Sequence, residues 1–532
     1  MLLAWKQATG APRYGAMSEV INLTKVVPRI FRPFRMWESA FFYGEKERQM
    51  SQEETNLQQT DFSKWYLQSI QKADLFAYGP ARGTMIFKPN GYFLWKQIKK
   101  GLNDQYEASG VEEVYFPMLI PQSFFEKEAD HVEGFAPELP WVTKAGDEEL
   151  EEPLALRPTS ETLFGNAMSD WINSYRDLPM ELNQWANVFR WEKRTFPFLR
   201  TSEFLWQEGH CAYATAEEAH ERVLHFLKIY QDVVEDLLAM PVYTGEKTPS
   251  ERFAGGDNTY SLEAMMKDTK AVQAATSHFL GTNFAEAFDI KFLNEDNEHV
   301  HTYTSSWGAS TRLIGAMIMT HGDERGVVFP PKMAPVQVAL LPVGNLKKNP
   351  QVLEKLREIE EELKAAGFRV SLDDSNNSPG YKYNEVEVKG VPLRLDFGPR
   401  DMENNSCMIK MRDQEDKESV ALEDLVTTVQ DKLDAMQTRL YEKADQFRKA
   451  NEHYDIDTME DLQAHLDKCH EEGQYPGWVL AGWDGTEESE AAVKEATGFT
   501  TRNIPFHAPV EKTVDLYSGK PAKYTVWYAR AY

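Results

Sequence analysis

The sequence predicts a multidomain chain of α+β and α/β character, with three folded units behind an N-terminal extension. Three observations carry this expectation. The 532 residues outrun a single hydrophobic core and, at roughly 150 residues per domain, divide into about three. A composition of 42% hydrophobic and 27% charged residues is that of a globular chain with ample core. Strand and helix periodicities alternate along the chain, and their breaks set the expected units at residues 1–49, 50–335, 336–445 and 446–532.

Residues 1–49 carry eight basic and four acidic side chains, three prolines and no sustained period. They lack the charged-then-apolar layout of a secretory signal. An organellar presequence is one reading; an unstructured extension, or a start placed too early with Met50 as the initiator, is preferred. In the next unit Phe93, Leu94, Ile98 and Leu102 recur at helical spacing over Gly91 to Tyr106, and Val111 to Pro121 reads as strand. Thr215-Ala-Glu-Glu218 is a capping box that opens a helix through Val223, Phe226, Leu227 and Tyr230 to about Met240, where Pro241 stops it. The third unit alternates: strand Val336 to Pro342, helix Gln351 to Ala366, then strands Phe368 to Leu372, Leu393 to Gly398 and Ser406 to Arg412. A long helix from Leu422 to about Asn451 leads to the last unit, which closes on the β-like segment Tyr524 to Tyr532.

The formal net charge of −26 argues against a generic polyanion coat or an anionic-membrane binder, and leaves room for a local basic groove. Three widely spaced cysteines, Cys211, Cys407 and Cys469, make neither a disulfide framework nor a paired metal site and fit a reducing cytoplasm. No apolar run approaches the roughly 20 residues that span a bilayer, so no membrane partner is expected.

No G-x-G-x-x-G opens a βαβ unit, and Gly245-Glu-Lys-Thr248 lacks the upstream glycine of a P-loop. A nucleotide must therefore be held by side-chain cations. The richest stretch is Asn187 to His210. Arg190 and Glu192 alternate along an expected strand and share one face, with Phe189 and Trp191 on the other. After a turn bearing Arg194 and Arg200, Phe204, Trp206 and Glu208 alternate on an antiparallel return strand. Facing strands lined with Arg and Glu suit a polyphosphate beside an amino group; in isolation they would serve equally as a salt-bridged ribbon.

This stretch resembles motif 2 of the class II aminoacyl-tRNA synthetases. The string Phe198-Leu-Arg-Thr-Ser-Glu-Phe-Leu-Trp-Gln-Glu-Gly-His210 resembles the prolyl-tRNA synthetases of the archaeal and eukaryotic type. Gly110 to Pro121 resembles motif 1, Leu156 to Glu161 the amino-acid loop, Ala271 to His278 the adenosine-contacting stretch, and Ser305 to Gly315 motif 3. The likeness runs from about residue 60 to Tyr532. It implies an antiparallel-sheet class II catalytic domain, an α/β anticodon-binding domain and a small α+β C-terminal domain. It also implies a homodimer formed through the motif 1 region, handling L-proline, tRNA(Pro) and ATP with Mg2+.

By that likeness Arg190 and Arg312 are the catalytic cations. The implied ATP contacts are Arg190, Glu192, Arg200, Thr201, Gln273, Thr276 and Arg312; a guanidinium, always charged and bidentate, suits phosphate. The implied proline contacts are Phe135, Thr159, Glu161, Arg190, Trp206, Glu208 and His210, and His278 is a weaker candidate nearby. Glu387, Arg394, Arg400 and Asp401 fall where the family reads two guanines of the anticodon. Asp484, Ser489, Asp515 and Ser518 stand where many relatives carry zinc cysteines, so no structural zinc and no other metal site is expected. Only 119 residues separate Glu192 from Arg312, too few for an inserted editing domain. The expected function is a cytoplasmic proline–tRNA ligase. A catalytically silent tRNA-binding paralogue and a class II ligase for another amino acid are the rival readings.

Overall fold

The computed structural model describes residues 57–126 and 139–532. The extension and Phe135 lie outside the described residues.

The first sheet is formed by β1 (Glu112–Glu113), β2 (Met180–Phe189), β3 (Glu203–Tyr213), β4 (Tyr243–Glu246), β5 (Asn258–Met265), β6 (Ala271–Gly281) and β7 (Tyr303–Ser310). Their spatial order is β4-β5-β6-β7-β3-β2-β1, and every neighbouring pair is antiparallel except β1 with β2. One face is covered by α1 (Pro89–Ala108) and α3 (Ala216–Leu237), while α2 (Glu161–Trp171) packs near the β2 side. α3 starts as the capping box predicts, with the Thr215 hydroxyl accepting from the Glu218 amide, and ends at Leu237. Its buried stripe, Val223, Phe226, Leu227, Tyr230 and Val234, meets the sheet through Trp307, whose ring stacks on Phe226 at 4.0 Å. Each fully buried Phe or Leu of this kind contributes about 2 kcal/mol.

Two expectations change. Val111 to Pro121 is not one strand: only Glu112–Glu113 and Leu119–Pro121 pair, in different sheets. Pro117 has no amide to give a ladder, and the Phe116 amide donates to Gln184 Oε1 (3.0 Å) instead. β2 ends at Phe189, so Arg190 and Glu192 are not alternating strand residues. The Glu192 amide bonds back to the Arg190 carbonyl (2.8 Å), turning the chain into a loop that Phe196–Arg200 closes.

The second unit follows α4 (Arg312–His321). Its strands β8 (Val338–Pro342), β9 (Val370–Leu372), β10 (Leu393–Phe397), β11 (Ser406–Met411) and β12 (Lys417–Ala421) lie in the order β9-β8-β10-β11-β12. The first three are parallel, as connections through α5 (Gln351–Ala365) and α6 (Pro379–Val388) require; α7 (Pro399–Glu403) precedes β11. α8 (Leu425–Ala450) buries Leu425, Val429, Leu433, Met436 and Leu440 in that core.

The last unit has a sheet ordered β13-β14-β17-β15, from β13 (Glu452–His453), β14 (Trp478–Trp483), β15 (Thr500–Thr501) and β17 (Tyr524–Ala529), with α9 (Glu487–Thr497) against it. β16 (Ile504–Pro505) leaves this sheet and pairs with β4, adding an eighth strand to the first. Trp478 and Trp527 pack on Tyr243 at 4.4 and 5.1 Å, so the C-terminal unit is seated on the sheet edge beside the candidate site. No helix among the described residues is long and apolar enough to cross a membrane.

Candidate active site

The face of the first sheet opposite α3 holds a cavity of about 270 Å³. Strand alternation assigns its floor. On β3, Trp206, Glu208 and His210 line the cavity, while Gln207 between them accepts from the Tyr106 and Tyr230 hydroxyls under the helices. Opposite them in register stand Ser310, Gly308 and Ser306 of β7, and Thr276 and His278 of β6 continue the face. Gly209 is required on the covered face, because a Cβ there would meet the Trp307 ring at 2.1 Å.

One end of the cavity is anionic and buried. Glu161 opens α2 and accepts from the Thr159 hydroxyl. Glu208 accepts from the Ser160 amide (3.1 Å), the Ser160 hydroxyl (2.6 Å), Gln184 Nε2 (2.5 Å) and His210 Nε2 (2.9 Å). His210 stacks on Phe164 at 4.1 Å. Burial opposes ionisation of both partners, but their mutual contact outweighs it: His210 sits above the ordinary histidine range and Glu208 below the ordinary carboxylate range. His278, bonded to the Thr259 hydroxyl at 3.0 Å, is pushed down to about 3 by burial and then by the charge of His210, so it is neutral. The ligand atoms of Glu161, Glu208 and His210 lie within 4.8 Å of one another, a cluster that suits a small cation.

The other end is cationic. The Arg190 guanidinium lies 5.5 Å from the Phe204 ring and 5.6 Å from the Trp206 ring, and donates to the Pro158 carbonyl at 3.2 and 3.3 Å. Arg312, first residue of α4, donates to the carbonyls of Leu199 (3.2 Å) and Gln273 (3.5 Å). Burial, then Arg190 and Arg200, push its pKa down to about 10, which still leaves it charged at neutral pH. Within the cavity lining, Trp206 Nε1 and Ser306 Oγ are buried without a hydrogen-bond partner among the described residues. Such groups point to a polar ligand.

Thr159, Glu161, Arg190, Trp206, Glu208, His210, Gln273, Thr276 and Arg312 thus share one cavity. Arg200 lines an adjoining space of about 390 Å³ with Arg194, Gln273, Arg312 and Tyr532. Glu192 lines neither, its carboxylate lying 3.9 Å from Arg200. Thr201, an expected ATP contact, has a buried side chain whose hydroxyl donates to the Glu203 carbonyl (2.7 Å). Phe253 was not legible. It comes from the irregular segment between β4 and β5, packs 4.7 Å from His278 and completes the cavity wall, and no period or motif marks it.

The four anticodon candidates lie on α6, β10 and α7 of the second unit. Glu387 on α6 accepts from Arg325 (3.1 Å), and Asp401 caps α7 by accepting from the Gly398 amide (2.8 Å). Arg394 on β10 is buried, paired with Asp396 at 3.0 Å and set 4.0 Å from the Tyr383 ring. Arg400 is exposed on α7. In the last unit Asp484, Ser489, Asp515 and Ser518 do converge. The buried Asp515 carboxylate accepts from the Ser489 (2.8 Å) and Ser518 (2.7 Å) hydroxyls and from the amides of Asp484 (2.9 Å), Tyr517 (3.1 Å) and Ser518 (2.6 Å).

An antiparallel sheet with two guanidiniums at one end of its open face and a carboxylate–imidazole cluster at the other is the core of a class II aminoacyl-tRNA synthetase. Residues 141–321 match the family model for the tRNA synthetase class II core domain (G, H, P, S and T). Residues 337–432 match the anticodon binding domain, and 467–532 match the C-terminal domain of prolyl-tRNA synthetase. The chain is 55% identical over 487 residues to the proline–tRNA ligase of Symbiobacterium thermophilum, spanning 92% of this chain and 100% of that one. It is 48% identical over 490 residues to that of Acetoanaerobium sticklandii and 46% identical over 490 residues to proline–tRNA ligase 2 of Clostridioides difficile, with 92% and 100% covered in each case. The chain belongs to the proline–tRNA ligase family.

Proposed function

We propose that the chain activates L-proline with ATP to prolyl-adenylate and transfers the prolyl group to the 3′ end of tRNA(Pro). The observation that carries this is the convergence of Arg190 and Arg312 with Glu161, Glu208 and His210 on one cavity. Activation is in-line attack of the prolyl carboxylate on the α-phosphate, so positioning and charge stabilisation do most of the work. Arg190, at the cationic end, holds the carboxylate and α-phosphate together. Arg312 and Arg200 hold the remaining phosphates, with Gln273 and Thr276 on the adenosine and Glu192 bracing Arg200. Magnesium enters bound to ATP, as substrate. Thr159 and Glu161 accept from the secondary ammonium, Glu208 fixes His210 and the 159–161 loop, and Trp206, His210 and Phe253 wall the ring. No group with a free-standing role as base is needed, because the attacking carboxylate is already ionised.

The finer reading is an archaeal/eukaryotic-type enzyme without an inserted editing domain. In support, most of the chain between Arg200 and Arg312 is spent on β3 to β7 and α3. We also propose the unit bounds 50–335, 336–445 and 446–532, and a homodimer through the motif 1 stretch, where Tyr115 is 72% exposed. A cytoplasmic setting fits three buried, unpaired thiols. Glu387, Arg400 and Asp401, with Arg394 behind them, are proposed to meet the anticodon. The C-terminal knot is proposed to stand without zinc. ATP–pyrophosphate exchange with each amino acid, followed by charging of tRNA(Pro), tests the assignment. Proline-dependent exchange is expected. Absence of exchange supports the silent paralogue, and exchange with another amino acid instead overturns proline.

A further inference from the structure

α4 begins at Arg312 in the cavity and ends at His321, and the next turn, Asp323 to Gly326, closes on itself as the Asp323 and Gly326 amides donate to each other's carbonyls at 2.9 and 3.0 Å. That turn grips the anticodon-binding unit by two contacts of different character. The Asp323 carboxylate, 28% exposed, takes a two-bond fork from Arg412 (2.6 and 2.7 Å), whose side chain is 1% exposed. Arg325, 32% exposed, lies 3.6 Å from Asp323 and donates to Glu387 (3.1 Å) and Glu415 (3.1 Å), which are 28% and 77% exposed. The fork is the firmer contact, since it is bidentate and removing Asp323 strands the buried Arg412 guanidinium. The solvent-facing pair is weak and exchangeable.

We infer that Arg325 is a positioning residue through which a bound anticodon is felt at the catalytic cavity. This rests on the proposed reading of Glu387 as an acceptor for guanine. A guanine offers N1–H and N2–H₂ side by side, so it engages both oxygens of a carboxylate. Arg325 holds one of those oxygens. A guanine seated on Glu387 therefore competes with Arg325 and shifts it toward Glu415. The change is delivered to the turn at the foot of α4, while the Asp323–Arg412 fork keeps the two units in register. The other end of that helix carries Arg312. Direct reading then appears as a difference in KM for tRNA, and the coupling as a difference in kcat.

The test is aminoacylation of tRNA(Pro) and of transcripts with each anticodon guanine replaced in turn by adenine, using wild type, Arg325→Ala, Arg325→Lys and Glu387→Gln. In Arg325→Ala the kcat ratio of cognate to altered transcript is expected to shrink at least fivefold while the KM ratio persists, and Arg325→Lys to restore more than half of it. In Glu387→Gln the KM ratio should collapse. A wild-type kcat ratio in Arg325→Ala overturns the coupling. So does an equal loss with every transcript and in ATP–pyrophosphate exchange, which would mark a structural role. An unchanged KM ratio in Glu387→Gln overturns the reading of Glu387 itself, whatever Arg325→Ala shows.

Discussion

Two carboxylates, Glu161 and Glu208, with His210 raised above the ordinary histidine range beside them, make the amino-acid end of the cavity a complement to one prolinium. The balance rests on Glu208. Burial alone drives a histidine toward neutrality, as His278 in the same cavity shows at about 3; His210 stays above the ordinary range because Glu208 accepts from it. Glu208→Gln therefore lowers the His210 pKa, leaving only Glu161 to raise it, and loosens Ser160. A rise in proline KM of about tenfold or more, about 1.4 kcal/mol, is expected in the exchange assay, with ATP KM changing much less. Equal effects on both substrates would sink the idea. The linkage has a definite sign on each side. The raised His210 value gives a contribution lost as pH rises through its folded value, and the lowered Glu208 value gives one lost as pH falls through its folded value. The pair's contribution is complete between the ordinary carboxylate and histidine values. Glu208 was legible because period-two alternation on β3 puts it on one face with Trp206, whereas Glu161 and His210 came from the family likeness alone. Family position does not show that the Thr201 hydroxyl turns to the Glu203 carbonyl, and Phe253 stayed hidden because an irregular segment has no period.

At the scale of elements, Asp515 does for the C-terminal unit what a metal ion does elsewhere: it gathers donors from the end of β14, from α9 and from its own turn around one centre. The charge is inverted, an anion surrounded by hydroxyls and amides, and its oxygens are already engaged by five donors. Asp515→Ala strands several of these and should cost about 3 kcal/mol. The measurement is hydrogen exchange at β14 and β17, which should quicken, while a strong chelator leaves the wild-type melting temperature unchanged. A chelator-induced drop would refute the metal-free knot. Burial acts against ionisation of Asp515, yet the Ser518 and Ser489 hydrogen bonds win and hold it below the ordinary carboxylate range. Its contribution is thus present above the unfolded value, about pH 4, and is lost as pH falls through the lower folded value. The long strands β5 to β7 and the helices α2, α4 and α6 had no local pattern that named them, whereas α1, α3, α5 and α8 were legible from capping and periodicity, α5 to within a residue. β16 was not. A two-residue strand that pairs with β4 from some 260 positions away leaves no local pattern to read.

For the whole molecule, a charge of −26 is compatible with tRNA because binding is assigned to particular arginines on an acidic body rather than to a diffuse field. Topology carries a second consequence. We propose that the first unit carries a single chemical site, because the segment between Arg200 and Arg312 holds β3 to β7 and α3, with only a short helix and a separate two-stranded hairpin between β6 and β7. That site cannot strongly refuse alanine, because the difference of two methylenes against a shaped apolar wall discriminates by only about 1–3 kcal/mol per group. The purified chain is therefore expected to activate alanine measurably in ATP–pyrophosphate exchange, with kcat/KM below that for proline by two to four orders of magnitude (roughly 3–6 kcal/mol). It should also leave preformed Ala-tRNA(Pro) intact over the spontaneous hydrolysis rate. Deacylation above that rate, abolished by no substitution in the cavity, would mean that a second hydrolytic site exists and that the reading of the short segment is wrong. Deacylation abolished by Arg190→Ala would instead place hydrolysis in the synthetic cavity itself. Intact Ala-tRNA(Pro) together with measurable alanine activation would require that clearance of the mischarged product be carried out by a separate protein.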